Sequence, residues 1–470
     1  MKKLVCLLLS MLLVFSLWAC GGNDAGTANT TEKAAETTAA TTGDTTPTEP
    51  APTEDPNVLY AGFSRQDCIP DDSLVYIAGG TAREDPATDG LLDNLAVTCV
   101  ALRKNGETYL IYTCDIVDIM DYKTAESLIT EATGVPAANI IVNATHTHSA
   151  PTLKPSDSDL PGMLNYMAKF NLTCRDTAVE AIADLSAVTE LSYGSIMTED
   201  MVRVRHYLMN DGTTHGNGHG SAASGYKEHL YPADEECQVI RLARDKKDIV
   251  LFNLGAHATI VSNTHTSALS ADFPFPARQY VEENGDYLAA YFIAAAGDQI
   301  PGSKIATEVK NKKDHFAYGA QLGEYVVKCM EENMTVSEGT DISLYGEKFY
   351  VKRKGLPAYT EGEVLQSMDC TTIPTNTMLL GDIGLVFVPG EPFGSQGRQL
   401  KDNSPVFTFV ITCSEEDQMY FPSPIAFREG FYESKTTKCA EGAGEAIAAR
   451  YVEILTAMKD GKTPEPQALQ

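Results

Sequence analysis

Two histidines one residue apart, in Asn143-Ala144-Thr145-His146-Thr147-His148-Ser149-Ala150-Pro151, are the residues whose types and spacing most directly suggest chemistry. They are two of nine histidines in 470 residues, and they follow the β-branched run Asn139-Ile140-Ile141-Val142, which reads as a buried strand arriving at a site. On extended backbone, residues i and i+2 face the same side, so both rings are expected to enter one cavity. Imidazole suits zinc and similar ions, and a zinc site with an open position takes about three protein ligands. The same tripeptide would serve two histidines that only hydrogen-bond in a loop. A metal site therefore requires one or two further ligands from elsewhere in the chain.

Other strand ends finish in polar, conformationally special residues, where α/β enzymes place their chemistry. One is Asn253-Leu254-Gly255-Ala256-His257-Ala258-Thr259, and a second is Ala296-Gly297-Asp298-Gln299-Ile300-Pro301. A third is Val388-Pro389-Gly390-Glu391-Pro392-Phe393. A fourth is Asp417-Gln418-Met419-Tyr420-Phe421-Pro422, followed by Arg428-Glu429-Gly430-Phe431-Tyr432-Glu433. Alone, His257 reads equally as a hydrogen-bonded strand-end histidine, Glu391 as a turn residue, and Tyr420 as a core aromatic with a wet hydroxyl.

The elements that must position these residues alternate without a strict repeat. Leu95 to Arg103 and Thr108 to Ile116 are apolar, β-rich runs joined by Asn105-Gly106, a hairpin signal. Thr124 to Ala132 reads as a helix stopped by Gly134 and Pro136. Leu164 to Leu185 has helical spacing, and Glu190 to Met197 is strand-like. Glu236 to Ala243 and Asp248 to Leu254 make a second hairpin. A helix is expected over Ala277 to Glu283, a strand over Leu288 to Ala296 and a long helix over His315 to Glu332. Strands follow at Ile342 to Lys352, Thr377 to Leu380, Gly384 to Val388 and Val406 to Thr412, then a closing helix at Ala443 to Met458. This predicts an α/β fold: a single mixed α/β domain over 58–460, with strand-end loops forming the site and a polar, frayed tail over 461–470.

Charged residues at 21% and hydrophobic residues at 43% are ordinary for a soluble globular protein. A net charge of -28 argues against nucleic acid as a partner and against simple adhesion to an anionic membrane. Lys2-Lys3 followed by the apolar run from Leu4 to Trp18 reads as a secretory signal, too short to span a bilayer comfortably. It ends in Leu17-Trp18-Ala19-Cys20-Gly21, which resembles a bacterial lipobox. The expectation is a signal peptide over 1–19, export, and attachment to the extracytoplasmic face of the membrane through lipid on Cys20. Residues 20–57, rich in Thr, Ala, Glu, Pro and Gly, read as a disordered spacer. Setting aside Cys6 and Cys20 leaves nine of eleven cysteines, an odd number, so at least one stays unpaired in a monomer. Cys99 and Cys114 read as small core residues, and no Cys-x-x-Cys pair offers a thiolate zinc site.

Taken together, the chain resembles the neutral/alkaline non-lysosomal ceramidase family. The resemblance rests on Ala61-Gly62-Phe63-Ser64-Arg65, Thr145-His146-Thr147-His148-Ser149-Ala150-Pro151, the His257 loop and Ser270-Ala271-Asp272-Phe273-Pro274. It continues through Gly297-Asp298, Pro389-Gly390-Glu391-Pro392, and Tyr420 with Gly430-Phe431-Tyr432-Glu433, all in the family's order. The resemblance implies a zinc ion held by His146, His257, Glu391 and Tyr420, a donor set zinc accepts. It implies that His148 faces the scissile carbonyl or relays a proton, and that Tyr432 donates to the developing oxyanion. It assigns Arg205 to the site through one matching residue, with a surface or salt-bridged arginine as the other reading. Asp272 and Asp298 are expected to organise loops.

The sequence also departs from the family. There the Gly-Asp loop continues Val-Ser-Pro and its serine contributes to the site, whereas here Ile300 stands in the serine's place. The chain ends soon after Glu433, so no C-terminal immunoglobulin-like domain is expected. The function implied is zinc-dependent hydrolysis of an amide, of a small-molecule or lipid-like N-acyl substrate, by metal-activated water. The alternatives are a metal-dependent esterase, or a non-catalytic binding lipoprotein on a decayed fold. A metallo-β-lactamase pattern would place Asp-His where Ala150-Pro151 stand, and an amidohydrolase barrel fits the interspersed hairpins poorly.

Overall fold

Period-two alternation in the first hairpin divides its residues between two cores. Val97, Cys99 and Ala101 join one apolar cluster and Val100 and Leu102 another, as extended backbone requires. The hairpin strands, Ala96–Lys104 and Glu107–Cys114, turn at Asn105-Gly106 with φ of 53° and 79°, the left-handed pair that Asn-Gly accommodates. The computed structural model describes residues 54–71, 75–78, 90–119, 122–153, 161–216, 225–263, 267–302, 314–360, 362–415 and 419–470. The expected signal peptide and the spacer as far as Thr53 lie outside them. The spacer's last residues form a turn closed by Val58 N–H to the Asp55 carbonyl at 3.0 Å.

The nine-stranded sheet runs Tyr287–Ile293, Asp248–Leu254, Glu236–Arg244, Ser186–Met197, Tyr60–Asp67, Ala96–Lys104, Glu107–Cys114, Ile140–Ala144, with Met334–Val336 beside Ser186–Met197. One face packs on helices Lys123–Thr133, Pro161–Ala183, Pro274–Glu283 and His315–Glu332 through Tyr112, Ile129, Phe170, Phe252, Val281 and Leu322. The other face packs through Val100, Leu251 and Phe292 on Met378, Leu385 and Phe409 of a second sheet. That sheet orders Ile342–Lys352, Cys370–Leu380, Ile383–Phe387 and Phe407–Ile411. Its far side is covered by Leu400 of helix Gly394–Asn403 and by Ile447, Tyr451 and Leu455 of helix Ala443–Lys459. The result is a mixed α/β fold of four layers, helices outside and two sheets within.

Three pairs within the two main sheets are parallel: Glu107–Cys114 with Ile140–Ala144, Asp248–Leu254 with Tyr287–Ile293, and Ile383–Phe387 with Phe407–Ile411. Parallel pairing needs a crossover, and helices Lys123–Thr133, Pro274–Glu283 and Gly394–Asn403 supply the three. The carboxyl ends of these strands carry the polar loops. Helix Gly394–Asn403 escapes sequence reading because two of its residues are glycine. Its start is fixed by the Gln396 side-chain oxygen accepting from Phe393 N–H at 2.6 Å. Strand Cys370–Leu380 is longer than expected, with polar residues and Pro374 filling its first half.

Residues Glu54–Gln470 form one compact unit. The last residues are docked rather than frayed: Gln470 N–H donates to the Leu365 carbonyl at 2.9 Å, and the Gln467 amide pairs with the Tyr350 backbone at 2.6 and 3.1 Å. Cys99 and Cys114 are core residues, and all nine described cysteines are buried and free. No helix among the described residues is long and apolar enough to cross a membrane.

One charged pair crosses the helix–sheet core. Arg278 donates to both oxygens of Asp115 at 2.9 and 2.7 Å, and Asp115 also accepts from Ala96 N–H at 3.0 Å. Removing one partner leaves an uncompensated buried charge. Arg278→Met is expected to cost about 3–5 kcal/mol in urea unfolding, whereas the double variant Arg278→Met/Asp115→Leu recovers most of that loss.

Candidate metal centre

Strand Ile140–Ala144 ends before the first histidine, and His146 has a left-handed φ of 62°. The expectation of two rings on one straight strand is therefore corrected. The rings converge because the chain turns at His146, leaving the two ring centroids 4.8 Å apart in an edge-to-face arrangement. The turned segment is fastened to the His257 loop. Thr147 bridges Ala258, His148 N–H donates to the Ala258 carbonyl at 3.0 Å, and Thr147 Oγ1 donates to the Ser270 carbonyl at 2.8 Å.

Backbone carbonyls set the rings. His146 Nδ1 lies 2.6 Å from the Val117 carbonyl and His257 Nδ1 lies 2.9 Å from the Gln299 carbonyl. A carbonyl only accepts, so each Nδ1 carries the proton and each Nε2 is turned toward the other ring and Glu391. This is how metal-binding histidines are held.

Glu391 reaches the same point because two glycines let backbones meet. A Cβ on Gly297 would lie 2.4 Å from the Glu391 carbonyl oxygen, and Gly390 has φ of 101° with Met419 O 2.5 Å from a Cβ position. Glu391 Oε2 lies 3.4 Å from His146 Nε2 and 3.0 Å from His257 Nε2, and His148 Nε2 lies 3.3 Å from His146 Nε2. Tetrahedral zinc with bonds of about 2.0–2.1 Å separates its ligand atoms by roughly 3.4 Å, so each of these spacings suits a pair of ligands. His146, His148 and His257 form a group whose nitrogens all lie within 4.8 Å and could hold a metal ion. Buried His257 Nε2 and Glu391 Oε2 make no hydrogen bond among the described residues despite their proximity. Two orphaned donor atoms facing one point fit a cation between them. The expectation set His148 apart from the ion, but its Nε2 lies 3.3 Å from His146 Nε2 and belongs to the same group of nitrogens.

Burial would raise the Glu391 carboxyl, yet the charges of His146 and His257 hold it well below the ordinary range. Burial and the neighbouring His146 and His257 keep His148 well below its usual value, leaving it neutral. Burial opposes a charge on His146, but Cys413 and Glu391 beside it hold its pKa well above normal. A metal ligand must be deprotonated, so a cation at His146 Nε2 competes with a proton there.

Tyr420 is aligned with Glu391 by a parallel bridge between Glu391-Pro392 and Tyr420-Phe421. Burial and the Glu391 charge raise its phenol, against the pull of Arg205, so it is a phenol unless a cation's field intervenes. Arg205 is buried: its Nε donates to Glu433 Oε1 at 2.7 Å, another nitrogen donates to the Gly297 carbonyl at 2.7 Å, and its guanidinium lies 5.5 Å from the Tyr420 ring centre. The salt-bridged reading of Arg205 is the one the structure shows, and its guanidinium also contacts the Gly297 carbonyl and the Tyr420 ring. Tyr432 is 53% exposed and meets the Tyr420 ring edge-on at 5.9 Å.

Sequence reading assigned no role to Glu433, His206 or Tyr231. Glu433 Oε2 lies 3.0 Å from His206 Nε2, and His206 Nδ1 lies 2.6 Å from the Tyr231 hydroxyl. His206 follows Arg205 directly, and that adjacency of a basic residue and a histidine was the available signal. Asp272 and Asp298 organise loops as expected: Asp272 accepts from Val261 and Phe273 N–H at 2.7 Å each, and Asp298 from Gly394 N–H at 2.8 Å. Ile300 lies opposite Arg203 in the pairing of Gln299–Pro301 with Val202–Val204.

Two outcomes are expected. In chelator-treated protein, zinc at about a hundred times its Kd should stabilise folding by about 2.7 kcal/mol and release protons into weak buffer. Neither effect should occur in His146→Ala/His257→Ala. Burial would raise Glu433, but Arg205 and His206 lower it from the ordinary 4.5 to about 2. Its contribution is therefore full above pH 4.5 and lost as pH falls toward 2. Glu433→Gln should flatten the acid limb of a stability-against-pH curve in that window.

No protein-family model and no curated protein matches the chain. Among solved structures, a ceramidase complexed with C2 superposes with a TM-score of 0.67 at 14% identity, covering 88% of this chain and 77% of that one. The neutral ceramidase from Pseudomonas aeruginosa gives 0.66 at 15% identity, covering 88% and 76%. The chain has the ceramidase fold.

Proposed function

We propose that this chain is a zinc-dependent hydrolase of a carbon–nitrogen amide bond in an N-acyl substrate, small or lipid-like, exported and attached to the membrane through lipid on Cys20. The observation that carries the reading is the convergence of His146 and His257 Nε2 on Glu391 Oε2 at 3.4 and 3.0 Å, with His148 Nε2 3.3 Å from His146 Nε2 and two of these atoms otherwise orphaned. The likeness of fold to proteins named ceramidases supports the class, and the ordered motifs support amide rather than unrelated chemistry.

His146, His257 and Glu391 would hold the ion, with Tyr420 and His148 at its edge. When bound, zinc polarises a carbonyl and acidifies water toward neutral pH. The remaining roles fall to the chain's own groups. His148, neutral and facing the same point, accepts and returns a proton at Nε2. Tyr432 offers its phenol O–H to the oxygen on which negative charge develops. Arg205 touches no reacting atom in this reading; fixed by Glu433, it holds Tyr420 and the Gly297 carbonyl in place. Ile300 supplies no hydrogen bond, so recognition of the substrate head must come from other groups.

A screen of N-acyl amides against the matching esters, with and without chelator, tests the reading. Amide cleavage abolished by chelator and restored by zinc is expected, with Tyr432→Phe lowering kcat by about 10²–10³-fold at near-constant zinc content. Ester cleavage alone would favour a metal-dependent esterase. Tight binding of intact ligand without turnover would favour the binding lipoprotein.

A further inference from the structure

Behind the Arg205 network lies a separate cavity of about 250 Å3, lined by Asp200, Arg203, His229, Tyr231, Glu235 and Gly302 among others. Its lining carries groups of both charges. Arg203 has a buried Nε with no hydrogen-bond acceptor among the described residues, and no carboxylate among them pairs with its guanidinium. His229 turns Nδ1 to the Val204 carbonyl at 2.8 Å, and burial together with the Arg203 charge lowers its pKa against that hydrogen bond. Nε2 of this neutral ring is left for the cavity. Glu235 has no ion pair among the described residues. Burial raises its carboxyl and the Asp200 and Glu199 charges add to this, outweighing the Asp200 N–H it accepts. A half-buried guanidinium without a carboxylate and a half-buried carboxylate without a cation, in one cavity, are unfavourable unless a ligand completes both.

We propose that this cavity binds a small zwitterion of the α-amino-acid type, its carboxylate on Arg203 and its ammonium on Glu235, with the unprotonated His229 Nε2 as a second acceptor for the ammonium. A simple anion would meet the two carboxylates, and a simple cation would meet Arg203; a zwitterion satisfies both charges. The site shares walls with the positioning network. Arg203 stands two residues before Arg205, and Tyr231 bonds His206, which pairs with Glu433. A bound zwitterion therefore braces the strand Val202–Val204 that leads directly into Arg205.

The test is calorimetric titration of the full chain with glycine, alanine and serine, beside acetate and ethylammonium as single-charge probes. Saturable binding of the amino acids is expected, at least about tenfold tighter than either single-charge probe. Arg203→Met and Glu235→Gln should each weaken it by about 10–100-fold with unchanged zinc content. Arg203→Lys, which keeps the charge, should recover part of the affinity and guards against a merely misfolded variant. Acetate binding as tightly as glycine, with Glu235→Gln without effect, would reduce the site to an anion site and overturn the proposal. Absence of saturable heat with every probe would overturn it too. Because the readout is binding, the outcome does not depend on whether the metal centre cleaves amides.

Discussion

The Glu391 carboxylate is the point on which the centre depends. Among the described residues it is the one acidic group paired with both His146 and His257, and it is buried. A buried carboxylate is costly unless opposite charge or hydrogen bonds compensate it, and here compensation comes from imidazoles whose outer nitrogens are already committed to backbone carbonyls. The whole group is fixed by main-chain geometry: Val117 and Gln299 orient the rings, Gly297 and Gly390 allow the approach, and Met419 accepts the Glu391 N–H at 2.9 Å. A site held this way is formed before any ion or substrate arrives.

Around it the structure balances buried charge in closed sets. Arg205, Glu433, His206 and Tyr231 form one chain of hydrogen bonds, and Arg278 with Asp115 forms another. The second set reaches the centre through the backbone, because Asp115 begins the segment that presents the Val117 carbonyl to His146. In a low-dielectric interior each such set is rigid when complete and unfavourable when broken. Helix-side packing and ring orientation at the centre are thus coupled through a short stretch of chain.

Three crossover units explain why residues so distant in sequence meet. Each parallel pair sends the carboxyl ends of both its strands to one edge of the layered core, where ligand sites form in open α/β sheets. His146, His257 and Glu391 each follow a strand of a different pair, and the Tyr420 strand then pairs directly with Glu391.

The sequence by itself determined the elements and the cast of donors. Apolar alternation in 96–114 and the Asn105-Gly106 turn fix a hairpin locally, and the β-branched run before His146 fixes a buried strand, because both signals need only neighbours along the chain. The ordered motifs also pointed to His146, His257, Glu391 and Tyr420 as one set. Tertiary structure alone decided how they meet. The left-handed turn at His146 replaced a straight strand end, and it brought His148 Nε2 to 3.3 Å from His146 Nε2. Arg205 became a buried, salt-bridged residue because Glu433, 228 residues away, supplies its counter-charge. Such pairings depend on contacts across the sheets, which leave no periodic trace in the residues on either side.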